Sequence, residues 1–483
     1  MNNIENIVKQ LKSDTNQSDY ITYREKIVCN KKIVIIYNDT LTTSDKISDF
    51  IVRSLDRINK NYSKKADLGK IIYNEIDNFK IKKITTYEDL CYHLHYGFTL
   101  ILIEDQEYHY ALETKRSLAR GISAPQTENA LRGAMDSFVE DMHTNIGLIR
   151  RRIKNNNLWE ESMEVGRYTK TKVSIVYING VCKPELVDTV KEKIKNIDID
   201  GVISSGVIKN LIEKENKSVF PTIFSTERPD KTCRALLSGK IAILVDCSQF
   251  ALILPIVLND LFISTEDNFN KSINITFTRI VRFLAFIITL FTPDLYLALT
   301  TYNQEMLPNQ LLISFASQRA TVPFPAFFEA LIMIVAFEIL RECDLRSPSF
   351  AASALSTVGA LILGEAAVNA GIVSPIMIIV IAITALSALL FTEPEMINGL
   401  RWYRILFMIG ASFMGILGIV LCFVYFVIKL CSLKSFGVPY LTPFSPLSAP
   451  GLKDSVIKFP TKDLDKREKY LSDNITKYKK VKQ

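Results

Sequence analysis

The sequence predicts an α/β cytoplasmic N-terminal region of two related subdomains, followed by an α-helical multi-pass membrane domain. Three observations carry that expectation. Hydrophobicity is split: up to about Asn274 apolar and charged segments alternate as in a soluble protein, whereas long apolar runs dominate from about Ile280 to Cys431. Within the first part a strand, helix and hairpin order occurs twice, about 140 residues apart. The apolar runs of the second part approach the ~20 residues a helix needs to cross a bilayer. The expected boundaries are 1–116 and 117–274 for the two subdomains, 275–431 for a membrane domain of four to five helices, and 432–483 for a basic polar tail.

In the first subdomain Lys32–Tyr37 is a short apolar run suited to a buried strand, and Ser44–Ile58 has helical periodicity. Tyr87–His95 reads as a helix. Gly97 then introduces Phe98–Glu104 and Tyr108–Glu113, two strand-like runs separated by Asp105-Gln-Glu107, a hairpin signal. In the second subdomain Lys172–Tyr177 matches the first strand and Pro184–Ile197 the first helix. Arg228–Leu237 reads as a helix ending at Gly239, and Lys240–Asp246 with Phe250–Pro255 form the second hairpin. Aligning Gly97 with Gly239 pairs Cys91 with Cys233, Ile101 with Ile243, and Glu104 with Asp246. The join between the two falls near Ser117–Gln126.

Between them, Leu131, Met135, Phe138, Val139, Met142 and Ile146 fall at helical spacing, which predicts one amphipathic helix over 128–152 capped by Thr127. Thr226 is expected to cap the helix that follows it, with Glu227 near the positive end and Pro229 in the first turn.

Composition excludes several function classes. The formal charge of +7 is modest, and acids lie close to bases through the front, which argues against a nucleic-acid partner. The eight cysteines show no paired spacing and read as reduced, mostly buried thiols, so neither a disulfide framework nor a metal site is expected. There is no Gly-rich phosphate loop, HExxH or GxSxG, so no cofactor is expected and the chain does not read as an enzyme. His93 and His95 are two apart, which on a helix points them in different directions. Met1–Asn6 has neither a basic nor an apolar leader region, so the front is expected to stay in the cytoplasm. The Lys-rich end, with Lys477, Lys479, Lys480 and Lys482, reads as a solvated terminus or as a patch drawn to anionic headgroups.

In the second part, Phe283–Tyr302 is the first span. It contains Pro293 and Asp294, which predicts a broken helix with an intramembrane acid; Arg279 and Arg282 precede it. Val322–Leu340 opens with Pro323 and Pro325 and carries Glu329 and Glu338. These glutamates are nine residues apart, about 180° around a helix, so they cannot share one narrow face. Leu355–Ser374 is rich in small residues, and its Glu365 and Asn369 lie on one face at i and i+4. They read either as polar contacts along an ion path or as groups bonded to neighbouring helices. Pro375–Leu390 is wholly apolar, and Arg404–Leu430 reads as a last span with Gly410, Gly415 and Gly418 for packing.

Beyond about Ser123 the chain carries Pro125-Gln-Thr-Glu128, Leu131-Arg-Gly133, Phe138-Val-Glu-Asp141, Phe220-Pro-Thr222 and Glu227-Arg-Pro-Asp230. It continues with Pro293-Asp-Leu-Tyr296, Pro323-Phe-Pro325 with Glu329, Phe337-Glu-Ile-Leu-Arg-Glu342 and Val373-Ser-Pro375. In these motifs the sequence resembles the A subunits of GerA-type spore germinant receptors. The resemblance implies a multi-pass subunit of a nutrient receptor in the spore inner membrane, in the lipid bilayer with B and C subunits as partners. It also implies a homo-oligomer that acts as the transducing or ion-conducting component; the alternative is a non-conducting scaffold. On that reading Glu365, Asn369 and Asp294 are candidate pore or intramembrane polar residues, and Glu329, Glu338, Pro323 and Pro325 are candidates for coupling.

Overall fold

The computed structural model describes residues 4–62, 68–76, 80–115, 125, 127–128, 133–213, 218–346, 364–391, 393–473 and 476. The first sheet is built from β1 (Ile21–Val28), β2 (Lys31–Asn38), β3 (Ile81–Ile84), β4 (Phe98–Ile103) and β5 (His109–Glu113). Its order is β1-β2-β4-β5-β3, antiparallel throughout. Both faces are covered. On one side lie α1 (Ile4–Asp14) and α5 (Tyr87–His95); on the other lie a helical stretch and α4 (Leu68–Glu75). That stretch runs from α2 (Ser44–Lys46) through π-helical Ile47–Val52 into α3 (Arg53–Asn61). Double coverage explains why β4 is apolar at almost every position instead of alternating.

The second sheet repeats the arrangement. It consists of β6 (Leu158–Val165), β7 (Thr171–Ile178), β8 (Phe224–Thr226), β9 (Ile241–Val245) and β10 (Ala251–Leu254), in the order β6-β7-β9-β10-β8. Registers correspond as well: Ile35 faces Ile101 in the first sheet, and Ile175 faces Ile243 in the second. α7 (Pro184–Lys195) and α8 (Ser205–Glu213) cover one face, and α6 (Met142–Arg152) with α9 (Pro229–Leu237) cover the other. Gly97 and Gly239 occupy the same place, after α5 and α9, with φ of +84° and +95°. A Cβ at Gly239 would press on the Leu471 carbonyl, so only glycine closes this turn cleanly.

Two helix starts differ from expectation. The single helix over 128–152 does not form: α6 begins only at Met142, capped by Asp141, whose carboxylate accepts from Thr144 N at 2.9 Å. Upstream, the backbone is pulled out of helical geometry by long-range bonds. Phe138 N donates to Glu227 O at 2.7 Å, and the Asn145 side chain bonds both Val139 N and Val139 O. Thr226 ends β8 and does not cap α9; Arg228 holds the cap position, and Thr226 Oγ1 accepts from Arg228 N. The cysteines are all free, but Cys247, Cys343 and Cys431 are exposed.

A helical block follows: α10 (Ser272–Thr301), α11 (Asn309–Arg319), α12 (Ala326–Arg346), a helical turn at 364–369, α13 (Pro375–Ala388), α14 (Pro394–Met414) and α15 (Ile416–Ser432). Among the described residues one helix, α10, is long and apolar enough to cross a membrane; α13 and α15 are apolar but shorter. Residues 355–363 of the expected Leu355–Ser374 helix lie outside the described residues, and the described remainder is helical only to 369. The expected single span over Arg404–Leu430 is instead a hairpin. Gly415, at φ +58°, reverses the chain, and Gly410 and Gly418 let the two helices touch backbone to backbone. α10 starts beside the second sheet and ends where Asn303 Oδ1 accepts from Ile416 N, at the hairpin tip. α15 therefore returns to the end where α10 began.

The C-terminal residues do not form the expected solvated tail as far as they are described. Residues 433–473 make a strap, with β11 (Lys434–Ser435), β12 (Val438–Pro439) and α16 (Ala449–Leu452), packed on the second sheet and the start of α10. Two of the strap's anchors are buried beside the second sheet. The Tyr440 hydroxyl donates to Pro221 O at 2.9 Å, and Ser435 Oγ donates to Thr222 O at 2.8 Å. The Lys477–Lys482 cluster lies outside the described residues. One apolar core runs from Phe220 and Phe224 through the helices to Tyr440, so sheet, block and strap share an interior.

Because a Cβ at Gly418 would collide with the Gly410 backbone, Gly418→Ala should lower the stability of the purified protein by about 1–3 kcal/mol. Gly206→Ala, whose added Cβ meets nothing closer than 3.7 Å, serves as the neutral comparison. Thermal unfolding of both variants checks this, and equal midpoints would refute the close crossing.

Candidate functional site

The polar interior of the helical block begins with Pro293. Proline has no N–H to give the carbonyl four residues back, so α10 leaves the Thr289 oxygen without its internal partner. α10 nevertheless remains continuous, contrary to the expected break, because Arg404 of α14 supplies the missing donor: its Nε bonds Thr289 O at 3.1 Å. Asp294, next to the proline, is 0 % exposed. Among the described residues neither of its carboxylate oxygens has a hydrogen-bond partner, and the Thr289 hydroxyl has none either. Arg404 is the cation whose charge acts on Asp294. A carboxylate so placed is normally paired or hydrated, so one held bare between two helices is a functional candidate.

The two glutamates of α12 meet different neighbours. Glu329, wholly buried, accepts from Ser374 N at 2.5 Å and from Ser374 Oγ, and Arg319 Nε lies 3.8 Å away. It thereby ties α12 to Ser374, the cap of α13. Glu338 instead pairs with Arg401 of α14, Oε1 to Nε at 2.8 Å. Pro323 and Pro325 are exposed just before α12, and Pro325 O accepts from Glu329 N at 3.2 Å, which sets the helix start. Glu365 and Asn369 are both exposed in the turn at 364–369, so the structure does not bring them into the buried Asp294 cluster.

A second polar group joins the sheets to the helices. Glu227 Oε1 accepts from Thr127 N, Thr127 Oγ1 and Glu128 N, and buried Arg228 donates to Glu128 O and Ala134 O at 3.0 Å each. Lys231, on α9, then reaches Glu128 at 3.4 Å and Glu393 at 3.6 Å, and sits 3.6 Å over the Phe224 ring. Lys209 of α8 bonds Glu395 at 2.5 Å. Glu393 and Glu395 open α14, so the second sheet's helices grip α14 at its first turn. Burial pushes the Glu393 carboxyl up to about 8; Glu128 and Glu395 add repulsion, and Lys231 and Lys209 only partly oppose it.

Sequence reasoning found Asp294 and the two α12 glutamates but not Arg404, Ser374, Arg401, Lys209 or Lys231. Only the first had a signal: a proline inside a helix implies a free carbonyl four residues back, and hence a donor elsewhere. Among the described residues no group of three His, Cys, Asp or Glu side chains is placed to hold a metal. His95 is buried against Asn156, and burial together with Arg150 lowers it to about 4.

Residues 7–470 match the family described as Bacillus/Clostridium GerA spore germination protein. The chain is 38% identical over 480 residues to spore germination protein KA of Bacillus subtilis (strain 168), covering 99% of this chain and 87% of that protein. It is 33% identical over 431 residues to the uncharacterized membrane protein YfkQ of the same organism, covering 88% and 83%. The crystal structure of the N-terminal domain of the A subunit of the Bacillus megaterium spore germinant receptor GerK3 is 28% identical. It matches with a TM-score of 0.42, over 52% of this chain and 94% of that one.

The Glu393 carboxyl yields a signed pH prediction. Folded, it keeps its proton to about pH 8, whereas an exposed glutamate releases it near 4.5. The folded state therefore binds the extra proton between these values. Stability is full below the lower one and falls as pH rises through the window, by on the order of a few kcal/mol. Glu393→Gln should flatten that fall, as read by thermal unfolding at a series of pH values from 4.5 to 8. An unchanged slope would assign the titration elsewhere.

Proposed function

The chain belongs to the GerA family of spore germination proteins, and from that premise we propose that it is the membrane subunit of a nutrient germinant receptor. It oligomerises as the transducing or ion-conducting component, with B and C subunits as partners. The observation that carries this reading is Asp294. A bare carboxylate inside a helix of membrane-crossing length is costly unless the working cycle gives it a proton, an ion or a new partner. The similarity to YfkQ, described as a membrane protein, supports the same placement. Glu365 and Asn369, exposed on one face of a single chain, are available to water or to a second copy at a conducting path.

Topology supports a multi-pass subunit with an even number of crossings. α10 leaves, and α15 returns to, the end that carries the second sheet, and the strap after α15 packs on that sheet. The sheets and the described part of the tail then share one side of the spore inner membrane, the cytoplasmic side. On this reading four crossings are favoured over five. The second reading, a non-conducting scaffold, rests on the Lys209–Glu395 and Lys231–Glu393 contacts, which couple the sheets directly to α14.

Spores carrying Asp294→Asn or Glu365→Gln separate the two readings. Conduction predicts that germinant-triggered ion release slows by roughly tenfold or more, an effect of about 1.4 kcal/mol on the barrier, while immunoblots show normal receptor levels. Release at the parental rate in both variants removes the conducting role and leaves the scaffold.

A further inference from the structure

α10 is longer than a bilayer requires: 30 residues span about 45 Å, against a hydrocarbon core of roughly 30 Å. The surplus lies at its start, before Phe283, where Arg279 and Arg282 turn inward to bind Asp267. Yet the opposite face of those first turns is apolar and uncovered. Ile273 is 84% exposed and Phe277 69%, followed by Ile280 and Leu284 on the same stripe.

The strap widens this face. Phe459 O accepts from Ser272 Oγ at 3.5 Å, Lys458 N donates to Thr276 Oγ1 at 3.1 Å, and Arg279 holds the Asp454 and Ser455 carbonyls at 2.9 and 2.7 Å. These bonds lay the strap along the first turns of α10. There it exposes Phe444, Ile457 and Phe459 around a shallow apolar depression, and Leu447, three residues on from Phe444, is exposed as well. Between 433 and 463 the strap holds four lysines and two aspartates. Lys434, Lys453 and Lys462 are exposed, whereas Asp454 is taken up by arginines, which leaves Asp463 as the exposed acid.

We propose that the strap and the first three turns of α10 form a docking surface for an anionic bilayer, with the apolar side chains at headgroup depth and the lysines against lipid phosphates. The inference rests on the reading of α10 as a membrane span. Its physical basis is continuity: the apolar stripe of Ile273, Phe277, Ile280 and Leu284 runs without interruption into the part of α10 that faces lipid. Bulky apolar side chains beside free ammonium groups, adjoining a span, fit an interface and not bulk water. The strap then clamps the sheets at a set height above the membrane.

Tryptophan probes test this in the full-length protein in vesicles of phosphatidylcholine with or without phosphatidylglycerol. Phe459→Trp and Leu447→Trp are compared with Tyr168→Trp, exposed on the second sheet, and with Ile287→Trp on the outer face of α10, each read as the difference from the parent protein. Lipid brominated near the headgroup should quench both strap probes by roughly half or more, with further quenching in anionic vesicles and shielding from aqueous iodide. Lys453→Glu with Lys462→Glu should abolish the increment that phosphatidylglycerol adds. Strap probes that behave like Tyr168→Trp while Ile287→Trp stays lipid-quenched overturn the docking surface and leave the span intact. Loss of lipid quenching at Ile287→Trp as well overturns both. Equal quenching in neutral and anionic vesicles overturns the role of the lysines.

Discussion

The buried guanidinium of Arg279 is the constraint on which the assembly of this chain depends. It is wholly inaccessible, and a charge so placed is tolerated only where oxygens surround it. Asp267 lies 2.9 Å from its Nε, the Asp454 carboxylate 3.0 Å from Nη1, and two strap carbonyls also accept from Nη1, while Nη2 has no hydrogen-bond partner among the described residues. Its partners come from two parts, the segment that leaves the second sheet and the strap, and Arg279 itself belongs to α10, so three elements meet here. Arg282 and Lys458 also converge on Asp267, so three cations share that segment's carboxylate and backbone. Without Arg279 the strap would keep only its bonds to Ser272 and Thr276 at the start of α10, and Asp267 would remain as a buried anion with fewer partners. The cluster is less a source of net stability than a device that permits one arrangement of three elements.

Legibility in the sequence followed burial. Central strands such as β4 and β9 are continuous apolar runs, and the helices beside them have clean periodicity, so both hairpins and their glycines could be read directly. The outermost strands β1 and β6 could not. Arg24, Glu25 and Lys26 in one, and Glu160, Glu161 and Glu164 in the other, give the charged edges that keep sheets from pairing further, and they mask the strand pattern. The misread helix at 128–152 shows the other limit. Its apolar spacing is real, but the distant Glu227 carbonyl takes the Phe138 N–H and the nearby Asn145 side chain takes the Val139 backbone, and these bonds outweigh propensity there. The strap escaped notice because Tyr440, Ser435 and Ser455, a few buried anchors, are hidden among lysines. At the site, residue types revealed the acids, but their partners, 45 residues from Glu329 and 63 from Glu338, have no local signature.

The two sheets share strand order and register but not surroundings. The first buries both faces under its own helices, so it is complete in itself. The second covers its faces in the same way, yet its β8 and β10 edge contributes Phe224 and Ile253 to the core of the helical block. Lys231, stacked on Phe224, stands at that seam. One architecture thus does two jobs: one copy stands off the helices, and the other is built into them.

The carbonyl released by Pro293 has a mechanical meaning. An ordinary helix resists bending through its own ladder of hydrogen bonds. At Thr289 α10 lacks one rung and borrows it from the side chain of Arg404. Stiffness at that level is therefore a property of two helices and not of one. Any flexing of α10 there must either stretch a bond to α14 or carry α14 along, and α14 is the helix whose first turn Lys209 and Lys231 grip from the sheets. The missing rung would act as a linkage pin: a displacement of α14 at the sheets would be felt at the level of Asp294 through the Arg404 bond, with no need for α10 to move as a whole.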